Sequence, residues 1–299
     1  MALILGALLL LFGSLSDTFL SARTFSTLAN RIPTLAVVAA GMTLVLMVRG
    51  IDLSVGSVMA LAGAVCGALL TQWHWPFAAA ALAAVCTGAL AGAFNGGVSV
   101  YLKIPSFIVT LGTLEIARGL AYLATNSQTQ YLGEQVAPLS APLWAAGVSL
   151  AFVVALLVIA KGQVILSHAA QGRRVIAVGA NEEAALLSGI DPRPLKFVVF
   201  LASGALAGLG AVFYVSRLGA ADPNAGSGLE LSAIAAAARG GHRLAGRRRS
   251  SVRTLFGVLI IATLEAGLAQ VGVSEPLKRV ITGGVIILAV ILDAWRRPR

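Results

Sequence analysis

Charge is scarce in this sequence. Asp, Glu, Lys and Arg together make 11% of its 299 residues, against about a quarter in soluble domains, which is too little to cover a water-facing globule of this length. Hydrophobic residues stand at 58% and mean hydropathy at +0.90, so the chain is an integral membrane protein. Cysteine occurs twice, at Cys66 and Cys86, each inside an apolar run beside alanine and valine. That excludes a disulfide framework and favours small-residue packing. The three histidines, His74, His168 and His242, are too far apart to give metal-ligand spacing. No G-x-x-x-x-G-K-[ST] stretch is present, so nucleotide hydrolysis is not expected of this chain. G-x-S-x-G is absent too, and no embedded acid and base stand at catalytic spacing, which disfavours a membrane enzyme. No cofactor is expected.

What the sequence does have is a series of apolar runs separated by polar breaks, each of a length suited to a helix crossing about 30 Å of hydrocarbon. Alternating barrel strands would be shorter. The expected fold is all-α and polytopic, with about ten transmembrane helices, eight to ten in all, some of them broken or re-entrant. The spans fall near 1–13, 35–49, 54–71, 78–101, 107–125, 143–160, 196–216, 231–246, 254–271 and 280–294. The opening run lacks the basic region and cleavage site of a signal peptide and reads as the first span. Residues 14–34 are amphipathic and are expected to lie in the membrane interface. Residues 1–299 read as a single domain.

The net charge of +10 is spread between spans rather than over one soluble face, so it reports orientation and not nucleic-acid binding. Placing the N-terminus inside puts Arg49, Lys103, Lys161, Arg173, Arg174, Arg193, Lys196 and the arginines from 239 to 253 in the cytoplasm. The long outer stretch "TNSQTQYLGEQVAPLSAP" then carries no Lys or Arg.

Two interruptions carry most of the polar chemistry. In "MVRGIDLSVGSVMALAG" (47–63), Asp52 and Ser54 are N-cap residues, so one helix ends near Gly50 and the next begins just after. Such a break is a structural cap or the wall of a polar pathway, because non-helical backbone at membrane depth survives only where protein or water solvates it. In "YLKIPSFIVTLGTLEIARG" (101–119), Pro105 suits a first helical turn, and Glu115 and Arg118, three apart, are placed to pair. The candidate pathway residues are Asp52, Ser54, Ser57, Ser106, Thr110, Thr113 and Glu115.

Residues 161–195 form a cytoplasmic loop containing one short helix. Asn181 caps it, Glu182 and Glu183 occupy its favourable first turn, and Gly189 ends it. It is either a connector or a docking helix, with Ala184, Ala185 and Leu187 as a small apolar face. Gly88, Gly92 and Gly96 recur on one helix face, as do Gly204 and Gly208 on another, which lets backbones approach closely. "GSVMALAG" (56–63) and "SSVRTLFG" (250–257) form a weak internal echo.

The stretches "AAGMTLVLMVRGIDLSVGSVMALAG", "IPSFIVTLGTLEIARGLAYL", "GRRVIAVGANEEAALLSGI" and "VSEPLKRVITGGVIILAVILD", in that order over nearly the whole chain, resemble the ribose-type permease subunits of bacterial ABC sugar importers. The resemblance implies a multi-pass inner-membrane permease, paired as a homodimer or heterodimer in the lipid bilayer. Its implied partners are an ABC ATPase subunit and a periplasmic sugar-binding protein. Asn181, Glu182, Glu183, Ala184, Ala185, Leu187 and Gly189 would form the coupling helix on the ATPase. The implied cargo is a monosaccharide such as ribose, moved by alternating access. Few aromatic residues lie in the spans, so selectivity would rest with the binding protein. A branched-chain amino acid type of permease is the neighbouring alternative. A secondary transporter is another, with Glu115 and Glu265 as its coupling carboxylates. One stretch departs from the family pattern: "GGHRLAGRRRSSVRT" places Arg247, Arg249 and Arg253 where glycines are expected. Either that segment has moved to the cytoplasmic surface, or the subunit is impaired, or the coding frame is locally shifted.

Overall fold

In hydrocarbon a backbone amide has no water to turn to, so an apolar run satisfies its own N–H and C=O groups by forming a helix. A computed structural model describes residues 1–143, 147–241 and 251–295, except the side chains of 238–241, 251, 286 and 288–295. Its helices, in chain order, are α1 (Ala2–Leu15), α2 (Ala22–Met47), α3 (Val55–Thr71), α4 (Phe77–Tyr101), α5 (Ser106–Thr125) and α6 (Leu150–His168). They continue with α7 (Ala170–Ala180), α8 (Glu182–Leu187), α9 (Pro192–Leu218), α10 (Leu229–Gly241), α11 (Ser251–Gln270) and α12 (Glu275–Trp295). Two short strands, β1 (Gln130–Tyr131) and β2 (Ala220–Ala221), pair antiparallel beside a 3-10 turn at Gly133–Leu139. Among the described residues six helices are long and apolar enough to cross a membrane, α2, α4, α5, α6, α9 and α11, and α1 and α3 are shorter apolar helices.

α2 and α9 form the centre. Val37, Val38, Ala39 and Met42 of α2 are buried in one cluster with Ala207 and Phe213 of α9. Because lipid tails are as apolar as leucine, burying leucine between helices gains little, and close backbone approach decides which helices pair. α4 and α9 pair in that way. A Cβ built on Gly88 would overlap the carbonyl of Gly204, one on Gly92 would overlap the carbonyl of Phe200, and one on Gly208 would sit 2.5 Å from the Ala84 carbonyl. The two glycine rows seen in the sequence thus face each other.

α2 begins earlier than its apolar run. Residues 22–34, expected in the interface, are the first half of this helix, with Leu28, Ile32, Pro33 and Thr34 buried. Two of the polar residues there are satisfied by the segment before α6: Ser26 Oγ and Asn30 Nδ2 donate to the Gly147 carbonyl at 2.8 and 2.9 Å, and Asn30 Oδ1 accepts from Ser149 N at 3.0 Å. α6 is displaced the other way, starting at Leu150 under a Ser149 cap and running on to His168. Hydropathy marks where the bilayer ends, not where a helix does. Among residues 239–253, positions 242–250, with Arg247 and Arg249, lie outside the described residues; Arg253 is exposed in the first turn of α11.

Candidate functional site

Between Met47 and Val55 the chain leaves the helix, which strips backbone amides of their partners in the middle of an apolar bundle. Those of residues 51, 53 and 54 are met by side chains. Ser106 Oγ of α5 accepts from Ile51 N at 3.0 Å, Thr110 Oγ1 accepts from Leu53 N at 3.1 Å, and Asp52 Oδ1 accepts from Ser54 N at 3.0 Å. Thr110 also donates to the Ile51 carbonyl at 3.3 Å. The polar chain continues inward. Thr113 Oγ1 donates to Asn95 Oδ1 at 2.6 Å, Asn95 Nδ2 to Ser54 Oγ at 2.9 Å, and Ser54 Oγ to Asp52 Oδ1 at 2.7 Å. Ser203 Oγ of α9 reaches Asp52 Oδ2 at 3.5 Å. Every donor in the chain points toward the carboxylate, which is only 1% exposed. A buried network of this kind rigidifies its surroundings when fully satisfied, and none of its buried side-chain atoms is left without a partner.

The structure therefore brings Asp52, Ser54, Ser106, Thr110 and Thr113 together at the junction of α3, α4, α5 and α9. Ser57 is buried on the first turns of α3. Glu115 does not join them: it is exposed on the outer face of α5. The Glu115–Arg118 pair expected from their spacing is not formed, because Arg118 Nη1 instead donates to the carbonyls of Pro223 and Ala225 at 2.5 and 2.9 Å. Asn95 and Ser203 were not expected. Each is a polar residue with apolar or glycine neighbours on both sides in its helix, and the signal that would have found them is that such a residue needs a partner inside the bundle.

At the start of α8, the cap expected at Asn181 is present, its Oδ1 accepting from Ala184 N at 3.1 Å. α8 closes with Ile190 N donating to the Ala185 carbonyl at 2.9 Å, around Gly189 at φ +81°, a conformation that favours glycine. Ala185 is buried, at 5% exposure, and so does not belong to an outward apolar face; Leu186 and Leu187 do, with Leu187 at 85%. The reason is geometric: residue 185 lies on the side of this six-residue helix that packs inward. Two ties hold α8 to the membrane part. Glu182 Oε2 meets Lys196 Nζ of α9 at 2.5 Å. Arg49, left-handed at φ 59°, donates Nε to the Gly179 carbonyl at 2.9 Å and Nη2 to the Ala180 carbonyl at 2.6 Å. Arg49 thus connects the helix break to the residue just before the Asn181 cap.

Among the described residues no group of three or more His, Cys, Asp or Glu side chains is placed to hold a metal ion. The arrangement is one of support and connection: a rigid polar junction inside the bundle, tied by one arginine to an exposed helix outside it.

Comparison with known proteins identifies the family. The family model for the branched-chain amino acid transport system / permease component matches residues 24–290. The chain is 37% identical to the ribose import permease protein RbsC of Bacillus subtilis (strain 168), over 96% of this chain and 89% of that protein. It is 34% identical to RbsC of Escherichia coli (strain K12), over 96% of this chain and 90% of that one. The D-allose transport system permease protein AlsC of Escherichia coli (strain K12) is also 34% identical, over 97% of this chain and 89% of that one. No solved structure matches it. The chain belongs to the family of the branched-chain amino acid transport system permease component, and its relatives within that family are permeases of ABC sugar importers.

Proposed function

We propose that the chain is the membrane-spanning subunit of an ATP-driven importer that carries a monosaccharide such as ribose across the bacterial inner membrane by alternating access. The carrying observation is identity of 34 to 37%, over almost the full length, to permeases named for ribose. On this reading the chain crosses the bilayer eight to ten times and works as a homodimer or heterodimer. A separate ATPase subunit lies beneath and a periplasmic binding protein delivers the sugar. α8, with Asn181, Glu182, Glu183, Ala184, Leu187 and Gly189, is the coupling helix, and Ala185 is its inward anchor. Asp52, Ser54, Ser57, Ser106, Thr110 and Thr113 form the fixed inner support of the pathway, with Glu115 on the opposite, open face of α5. A secondary transporter would need coupling carboxylates inside the bundle; Glu115 and Glu265 are both exposed, and the buried Asp52 is taken up by bonds to Ser54 and Ser203.

The test is uptake of labelled ribose, allose, fructose and leucine by cells lacking their own uptake systems for these solutes, supplied with this chain, its ATPase and its binding protein. Saturable uptake of one sugar that disappears when the ATPase is inactivated is the expected outcome. Uptake that continues without the ATPase, or transport of leucine alone, would overturn the reading. Leu187→Glu, exposed and outside the bundle, should leave membrane insertion intact while ATPase co-purification and sugar uptake both fall by at least about tenfold, as loss of an apolar anchor does at an interface.

A further inference from the structure

At the end of the bundle away from α8 there is a cavity of about 610 Å³, within the range of small-molecule sites. It lies where α9 finishes and α10 and α12 start, and α2 and α11 complete its walls. Four basic side chains line it, Arg31, Arg217, Lys278 and Arg279, against two carboxylates, Glu265 and Glu275. Glu275 is already engaged by Lys278 at 2.8 Å. That leaves three guanidinium groups facing one carboxylate. Arg217 is the most informative of them. Its guanidinium lies 5.5 Å from the centre of the Tyr214 ring, and its Nε is buried with no hydrogen-bond partner among the described residues. A buried donor without an acceptor is unfavourable, the more so when charged, so this Nε is poised to bind an acceptor that enters the cavity. The rest of the wall mixes the hydroxyls of Thr34, Ser227, Ser232 and Thr282 with an apolar strip formed by Ile32, Leu35, Leu231 and Ala262.

We propose that this cavity binds the phosphate ester of an anionic phospholipid headgroup. Planar guanidinium forks match phosphate oxygens bidentately. Arg217 in the last turn of α9 stands with Lys278 and Arg279 at the start of α12, and Arg31 of α2 lines the same cavity; the ends of spanning helices are the level at which headgroups lie. The apolar strip suits an acyl chain and has no use for a free inorganic ion. Glu265 limits the excess positive charge and disfavours ligands with more than one phosphate. The site is independent of the transport reading, since it requires only that the chain sits in a bilayer.

The experiment uses the full-length chain purified in mild detergent and follows its thermal unfolding with added phosphatidylglycerol, phosphatidylcholine or inorganic phosphate. Phosphatidylglycerol should raise the apparent Tm by about 5 °C at saturation, as ligand linkage predicts for a site filled well above its Kd, and the other two by less than about 1 °C. Arg217→Gln and Arg31→Gln should each remove at least half of the phosphatidylglycerol shift, and Glu265→Gln should keep or enlarge it. Should R217Q not fold, Arg279→Gln, exposed on α12, carries the same expectation. An equal shift with phosphatidylcholine, or an undiminished shift in the arginine variants, would overturn the proposal. An equal shift with inorganic phosphate would overturn its lipid source, leaving a free-anion site.

Discussion

Asp52 has no salt-bridge partner among the described residues, yet donors from Ser54 and Ser203 converge on its two oxygens. The local requirement is for acceptors rather than for charge. Asp52→Asn keeps Oδ1 as an acceptor, and the Ser203 hydroxyl can reverse to receive the new amide, so its stability should stay within about 1 kcal/mol of wild type. Asp52→Leu leaves Ser54 N–H, Ser54 O–H and Ser203 O–H without an acceptor and should lose about 2 to 3 kcal/mol. Thermal melting of the purified variants separates the two cases. If both lose stability equally, the negative charge itself is what the junction uses. Asn95→Leu belongs to the same residue-scale test, because it cuts the chain between Thr113 and Ser54 and should cost at least as much as Asp52→Asn.

At the scale of elements, α4 and α9 depend on missing side chains. Gly88→Ala drives a methyl group into the Gly204 carbonyl and should cost about 1 to 3 kcal/mol, whereas Gly97→Ala on the same helix meets nothing within 4 Å and should be neutral or slightly stabilising. Comparable melting points for the two variants would remove the glycine seam from the account of how α4 and α9 pair. Arg49 belongs to this scale because it joins two elements. Arg49→Gln should leave the ATPase bound, since α8 keeps its own cap and its Lys196 tie, but should reduce sugar-stimulated hydrolysis several-fold. Unchanged stimulation would mean that the break and α8 are not mechanically joined. The break and α8 were legible in the sequence because turn residues, caps and glycines are local chemistry: Asp52, Asn181 and Gly189 act within a few residues of themselves, whereas Ser54, expected as a side-chain cap of α3, makes no cap bond and turns to Asp52 and Asn95 instead. Asn95, Ser203 and the contacts of Arg49 and Arg118 were not legible, since they depend on which helices become neighbours. The start of α2 was obscured by polar residues whose partners, Gly147 and Ser149, lie more than a hundred positions away.

For the whole molecule, the distribution of Lys and Arg between the spans predicts an orientation that can be checked directly. Ser127, after α5, and Ala180, at the end of α7, are both exposed. With Cys66 and Cys86 replaced by alanine, a cysteine at 127 should react with an impermeant thiol reagent in intact cells, and one at 180 only after permeabilisation. The reverse pattern would turn the protein over and place α8 outside. The close fit between α4 and α9 also has a consequence for how such a subunit can move. α9 is 27 residues long, about 40 Å at 1.5 Å per residue, with Lys196 near one end and Arg217 near the other. Facing carbonyls and glycines let neither helix slide along the other, so the two behave as a single plank. A tilt of about 5° imposed through α8 would carry the far end by about 3 to 4 Å over that length, so a small angular push on one side of the membrane becomes a displacement of atomic size on the other.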